Sequence, residues 1–193
     1  VGLLDALDIR KAHICGASMG GMIAQTVAIR HPSRVLSLIS IYSTTGNKDL
    51  PPPKPEMMEL LFAPAPEERE AYIDHMVNLF RAMAGPGFPF DEEWTRMITG
   101  RAYGRSFSPR GTARQIAAIM TQTDRRKVLA SVTVPALIIH GTDDPVVLVE
   151  AGRDTAKAIP GAQLMLIEGM GHDLPHDGAW PRIVEAITAH TTR

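Results

Sequence analysis

Five residues near the start of the chain constrain it more than any others: Gly16-Ala17-Ser18-Met19-Gly20. They separate two segments of different character. Residues 11–17, Lys-Ala-His-Ile-Cys-Gly-Ala, form a short apolar run of the kind expected for a buried strand. Residues 19–30, rich in Ala, Ile and Met, read as a helix stopped at His31-Pro32. A serine at such a junction, with glycine two positions to either side, fits a sharp turn. Side chains at the glycine positions would collide there, and the turn lifts the serine hydroxyl clear of the sheet edge. The turn also sets the N–H of Met19 at a helix N-terminus, where it can donate to an oxyanion with the helix dipole behind it. Ser18 is the expected nucleophile.

Residues 35–42 read as a second buried strand, so the first forty residues form a β–α–β unit and imply a parallel sheet. Ahead of it, Leu3, Leu4, Leu7 and Ile9 are spaced as the end of a helix. Turn chemistry follows at residues 44–47. Pro51, Pro52, Pro53 and Pro55 are expected to forbid helix and central strand. From about residue 67 to residue 123 the text is helical, broken at Gly85-Pro86-Gly87. Strand 134–140, helix 148–159, strand 163–167 and a last helix over 175–190 then restore the alternation. The division expected is a core part at 1–45, a helical insertion at 46–126 and a second core part at 127–193.

A serine hydroxyl needs a base. Gly169-Met170-Gly171-His172 follows a late strand, and its glycines make a loop able to present an imidazole. His176 is the rival, placed by the expected last helix on the surface. His172 and His176 at i, i+4 also suit a metal pair, but Pro175 argues against one shared helix and no third ligand is evident. The base needs a carboxylate to hold its tautomer. His140-Gly141-Thr142-Asp143-Asp144-Pro145 follows the third strand, and either aspartate can serve. His140 reads as a structural core residue, and Cys15, inside its strand, as a small core residue.

These segments together resemble the α/β-hydrolase superfamily over nearly the whole chain. The order serine, acid, histidine is that family's order. Residues 138–145 are similar to its acid-bearing segment, where the resemblance points to Asp144, and residues 16–21 to its nucleophile elbow. The text is most similar to lid-bearing esterases of the aclacinomycin methylesterase type, and more loosely to non-haem haloperoxidases and enol-lactone hydrolases. The serine at the elbow separates it from epoxide hydrolases and haloalkane dehalogenases, which use aspartate there. The resemblance implies an α/β-hydrolase fold: a mostly parallel sheet flanked by helices, with a helical cap insertion. It also implies about four strands before the elbow, where this chain has one helical segment. The chain is therefore expected to be N-terminally truncated, and the segment carrying the second oxyanion N–H to lie outside it.

The expected chemistry is hydrolysis of a small or medium apolar carboxylic ester through an acyl-enzyme on Ser18, with His172 as base, Asp144 orienting it and the Met19 N–H on the oxyanion. No cofactor or metal is implied. The alternatives are a non-catalytic hydrolase-like binding domain, or lactonase, C–C hydrolase or perhydrolase chemistry on the same triad. In the insert, Met57, Met58, Met76, Met83, Met97 and Met120, with Phe62, Phe80 and Trp94, can line an apolar pocket, although most read as packing the insert's own helices. A net charge of −1 over 193 residues gives no electrostatic case for nucleic acid or a charged membrane surface. The basic run Arg125-Arg126-Lys127 reads as a solvated face. No stretch is long enough to span a bilayer, and a single cysteine suits a reducing, cytoplasmic setting.

With no earlier strands beside it, the strand at 11–17 would expose an edge that carries neither the proline nor the charge that protects such edges at Ala12 to Ala17. The expected outcome is self-association or aggregation of the 193-residue chain through that edge, with little or no esterase activity. Size-exclusion chromatography with light scattering checks this, and a stable, fully active monomer would contradict it.

Overall fold

Apolar side chains run through the central strands almost without a break, as a sheet covered on both faces requires. The computed structural model describes residues 1–175 and 177–192. Strands β1 (Ala12–Ala17), β2 (Val35–Ile41), β3 (Ala136–Gly141) and β4 (Gln163–Ile167) make one sheet in that order, and every pair is parallel. The helices are α1 (Gly2–Ala6), α2 (Met19–Arg30), α3 (Pro55–Phe62), α4 (Arg69–Met83), α5 (Glu92–Arg105), α6 (Pro109–Met120), α7 (Arg126–Leu129), α8 (Val149–Ala158) and α9 (Ala179–Thr191).

Alternate residues of a strand point to opposite faces. Leu38 and Ile138 accordingly share one core with Ala24 and Ala28 of α2, Leu129 and Ile159. Ile39, Ile41, Leu137 and Ile139 share the other with Ile183 of α9, Ile167 and Met170. Each fully buried side chain of this size contributes roughly 1.5–3 kcal/mol by leaving water. Because all four strands run the same way, the segments after β1, β3 and β4 emerge at one edge. Ser18, Asp144 and His172 lie in those three segments.

Four expectations change. Helix α3 begins at Pro55, because a proline in the first turn has no N–H to lose from the helical ladder. The last helix starts at Ala179, four residues later than its expected first residue. Cys15 is exposed, not in the core: β1 pairs only with β2 among the described residues, and His13 and Cys15 lie on its uncovered face. Arg125 is half-buried, donating to Gln25 Oε1, Gln122 Oε1 and the Thr44 carbonyl, so burial lowers its pKa. No helix among the described residues is long and apolar enough to cross a membrane.

Helices α3 to α6 follow one another between β2 and β3. The end of α4 and the residues after it meet the loop that carries His172 through backbone, and through Phe88, which packs against the cluster that holds Met170. The Gly87 N–H donates to the Gly169 carbonyl (2.9 Å) and the His172 N–H to the Met83 carbonyl (2.8 Å). A Cβ on Gly85 would lie 2.1 Å from the Gly169 oxygen and 2.4 Å from the Gly171 nitrogen, so only glycine permits the approach. Gly85→Ala is expected to destabilise the protein by on the order of 3 kcal/mol and to lower the thermal midpoint by roughly 5–10 °C. A circular-dichroism melt within 1 °C of wild type would show that this contact is not tight.

Candidate active site

Ser18 is held in a backbone conformation that L residues seldom adopt, φ 53° and ψ −120°, between the end of β1 and the start of α2. Its N–H donates to the Ile41 carbonyl (2.9 Å), and its own carbonyl accepts from Ser43 Oγ (2.7 Å). A Cβ on Gly16 would fall 2.0 Å from the Gly20 oxygen, which is why the turn can close only without a side chain there. Met19 is the first residue of α2, so its N–H is among those with no acceptor inside the helix.

His172 is almost fully buried. Its Nε2 lies 2.9 Å from Ser18 Oγ, and its Nδ1 lies 2.7 Å from Asp144 Oδ2. The Asp144 side chain has no solvent exposure. Its other oxygen, Oδ1, accepts the N–H groups of Val146 and Val147, each at 2.8 Å. A buried carboxylate that holds two amides on one oxygen and faces the imidazole with the other directs the proton of His172 to Nδ1. Nε2 is then free to take the proton of the Ser18 hydroxyl. Of the two aspartates, only Asp144 reaches the imidazole; Asp143 is exposed and accepts from Thr142 Oγ1 (2.6 Å) and the Gly169 N–H (3.2 Å). His176 lies outside the described residues.

His140 is the structural residue that its strand position suggests. It is fully buried, its Nε2–H donates to the Val147 carbonyl (2.7 Å), and burial holds its pKa down, so it is a neutral spacer behind Asp144.

Two residues beside the imidazole were not expected from the sequence. Tyr42, at φ 35°, packs its ring 4.6 Å from that of His172, tilted 54°. Burial first, then Asp173 and Asp144, raise its pKa, so it is a neutral phenol. Asp173 follows His172, and its pKa is pushed up to about 6, chiefly by burial. A tyrosine closing an apolar strand resembles ordinary core, and an acid after a histidine has no spacing rule, so neither position carried a signal.

Above His172 opens a cavity of about 480 Å³. Its walls are Tyr42, Phe80, Phe90, Trp94, Ile98, Leu174 and Trp180, with Asp91 and Asp173 the carboxylates. Of the insert residues expected around a pocket, Phe80 and Trp94 line this one, and no methionine does. Met57 and Met83 are buried in packing, whereas Met97 and Met120 are exposed.

Comparison with known proteins agrees with this architecture. The family model described as alpha/beta hydrolase fold matches residues 2–179, and the chain belongs to that family. It is 31% identical over 211 residues to the rhodomycin D methylesterase DauP of a Streptomyces species, covering 99% of this chain and 70% of that protein. It is 32% identical over 189 residues to a 2-hydroxy-6-oxononadienedioate/2-hydroxy-6-oxononatrienedioate hydrolase of Cupriavidus pinatubonensis, covering 95% of this chain and 64% of that one. Among solved structures, the esterase RhEst1 of a Rhodococcus species superposes with a TM-score of 0.76 at 23% identity, over 98% of this chain and 68% of the other.

The geometry separates the paired aspartates. Asp144→Asn is expected to lower kcat by roughly ten-thousand-fold, because the amide holds the imidazole in the wrong tautomer. Asp143→Asn should cost far less. Steady-state ester hydrolysis by the two variants checks the ranking, and the reverse order would overturn it.

Proposed function

We propose that this protein is a serine hydrolase acting on a carboxylic ester of an apolar, bulky substrate. The reading is carried by the hydrogen-bond chain Ser18–His172–Asp144 beneath an aromatic cavity. In this reading His172 takes the Ser18 proton as Oγ attacks the ester carbonyl. The N–H of Met19 donates to the oxyanion that forms, and the dipole of α2 supports it. Collapse of the tetrahedral species expels the alcohol, which takes its proton from His172. Water, activated by the same imidazole, then releases the acid and restores Ser18.

Several features support an apolar ester over the dicarboxylates that the names of other relatives denote. The cavity walls described here are aromatic and aliphatic, their charged groups are acids, and they carry neither lysine nor arginine to receive a carboxylate. The methylesterase likeness points the same way. Residues 46–126 serve in this reading as a cap: Phe80, Phe90, Trp94 and Ile98, which belong to that stretch, supply much of the apolar wall. A buried triad with its serine–histidine contact already formed counts against a non-catalytic binding role.

Ser18→Ala is expected to abolish turnover of p-nitrophenyl esters, by on the order of a million-fold in kcat where the wild type is fully competent. A fluorophosphonate probe should label Ser18 in the wild type and leave the variant unmodified, as read by mass spectrometry. Hydrolysis by the variant at near wild-type rate, or a wild type whose Ser18 the probe leaves unmodified, would sink the reading.

A further inference from the structure

Asp173 is the acid beside the imidazole, and the proposed mechanism gives it no task. It sits beside His172 at the base of the aromatic cavity and forms part of its wall. Its Oδ1 is sealed from solvent and has no hydrogen-bond partner among the described residues. Asp144, the neighbouring buried acid, holds two backbone amides and an imidazole N–H. The Gly171 amide and its own amide act on the Asp173 carboxylate, so the two acids differ in that one oxygen of Asp173, Oδ1, is left without a donor. Burial raises the pKa of Asp173, and Asp144 adds to the rise, while the Gly171 amide and His172 oppose it; the value of about 6 leaves it ionised at neutral pH. A carboxylate with one oxygen left without a donor, in a low-dielectric wall, projects its field into the cavity.

The other charged groups near the cavity are already committed. Asp91 caps α5, accepting the Trp94 N–H at 2.8 Å. Arg81 stacks 4.6 Å above the Phe90 ring and is paired with Glu92. Neither meets the charge of Asp173. The surrounding faces of Trp94, Trp180 and Phe80 suit a cation as well as an apolar body.

We propose that Asp173 is a specificity-determining residue, selecting substrates that bear a protonated amine beside an apolar body and excluding those that bear a carboxylate. The proposal extends the ester-hydrolase reading by naming the substrate class, but binding alone can test it. Both tryptophans of the sequence, Trp94 and Trp180, line the cavity, so their fluorescence reports occupancy without turnover.

The test titrates the protein at pH 7.5 with 2-phenylethylammonium, 2-phenylethanol and phenylacetate. The ammonium ion should bind at least ten-fold more tightly than the alcohol and at least a hundred-fold more tightly than phenylacetate. In Asp173→Asn the ammonium and alcohol affinities should come within about three-fold of each other. A wild type that binds phenylacetate as well as the ammonium ion overturns the proposal, whatever any variant does. Retention of the ammonium preference in folded Asp173→Asn overturns it too. Because Ser18 need not react, an inactive protein that still shows the preference would refute the hydrolase reading and uphold the role of Asp173.

Discussion

Everything at the candidate site depends on the turn that carries Ser18. A residue with a side chain at φ 53°, ψ −120° is strained by roughly 1–3 kcal/mol, and the surrounding structure must over-determine that conformation for it to persist. Here the N–H of Ser18 is tied to β2, its carbonyl to Ser43, and α2 is pressed against β1 and β2. The strain has a chemical result: it turns the hydroxyl out of the sheet and towards His172. The sheet and α2 act as a clamp on one dihedral pair.

The second dependence is electrostatic. A buried carboxylate is stabilised when its oxygens are met by donors. Asp144 gets two of them from a backbone turn that starts at the aspartate itself, and its third is the imidazole it orients. His140, packed behind it, is kept neutral and so adds no competing cation. The position of His172 is thus set at three points: by Asp144 at Nδ1, by the Met83 carbonyl at its backbone and by the ring of Tyr42.

Much of the fold is legible in the sequence, for physical reasons. The strands and α2 could be read because parallel strands bury both faces and give unbroken apolar runs. The turns that carry Ser18 and His172 are legible because each needs glycines around it. Asp143 and Asp144 cannot be separated by their own text, since which of two adjacent carboxylates faces inward depends on the fold of the loop after the neighbouring strand, β4. Cys15 was misplaced because an apolar run looks buried whether or not a neighbour covers it. Arg125 was misread because a basic run looks solvated until Gln25, from a segment distant in sequence, supplies its acceptor. The walls of the cavity come from three separate stretches of chain, and no single periodicity could show their meeting.

The contact between residues 83–87 and the loop at 169–171 has a bearing on how such chains can be recombined. These segments are distant in sequence, yet the backbone of one is the shelf on which the other rests, and His172 hangs from that shelf. A chimera that imports a new helical layer by cutting at its outer sequence boundaries would replace the shelf together with the helices. The natural unit of exchange is smaller: it must leave the end of α4 and the glycine turn after it with the sheet. The border between layers visible in space therefore does not coincide with any single cut in the sequence.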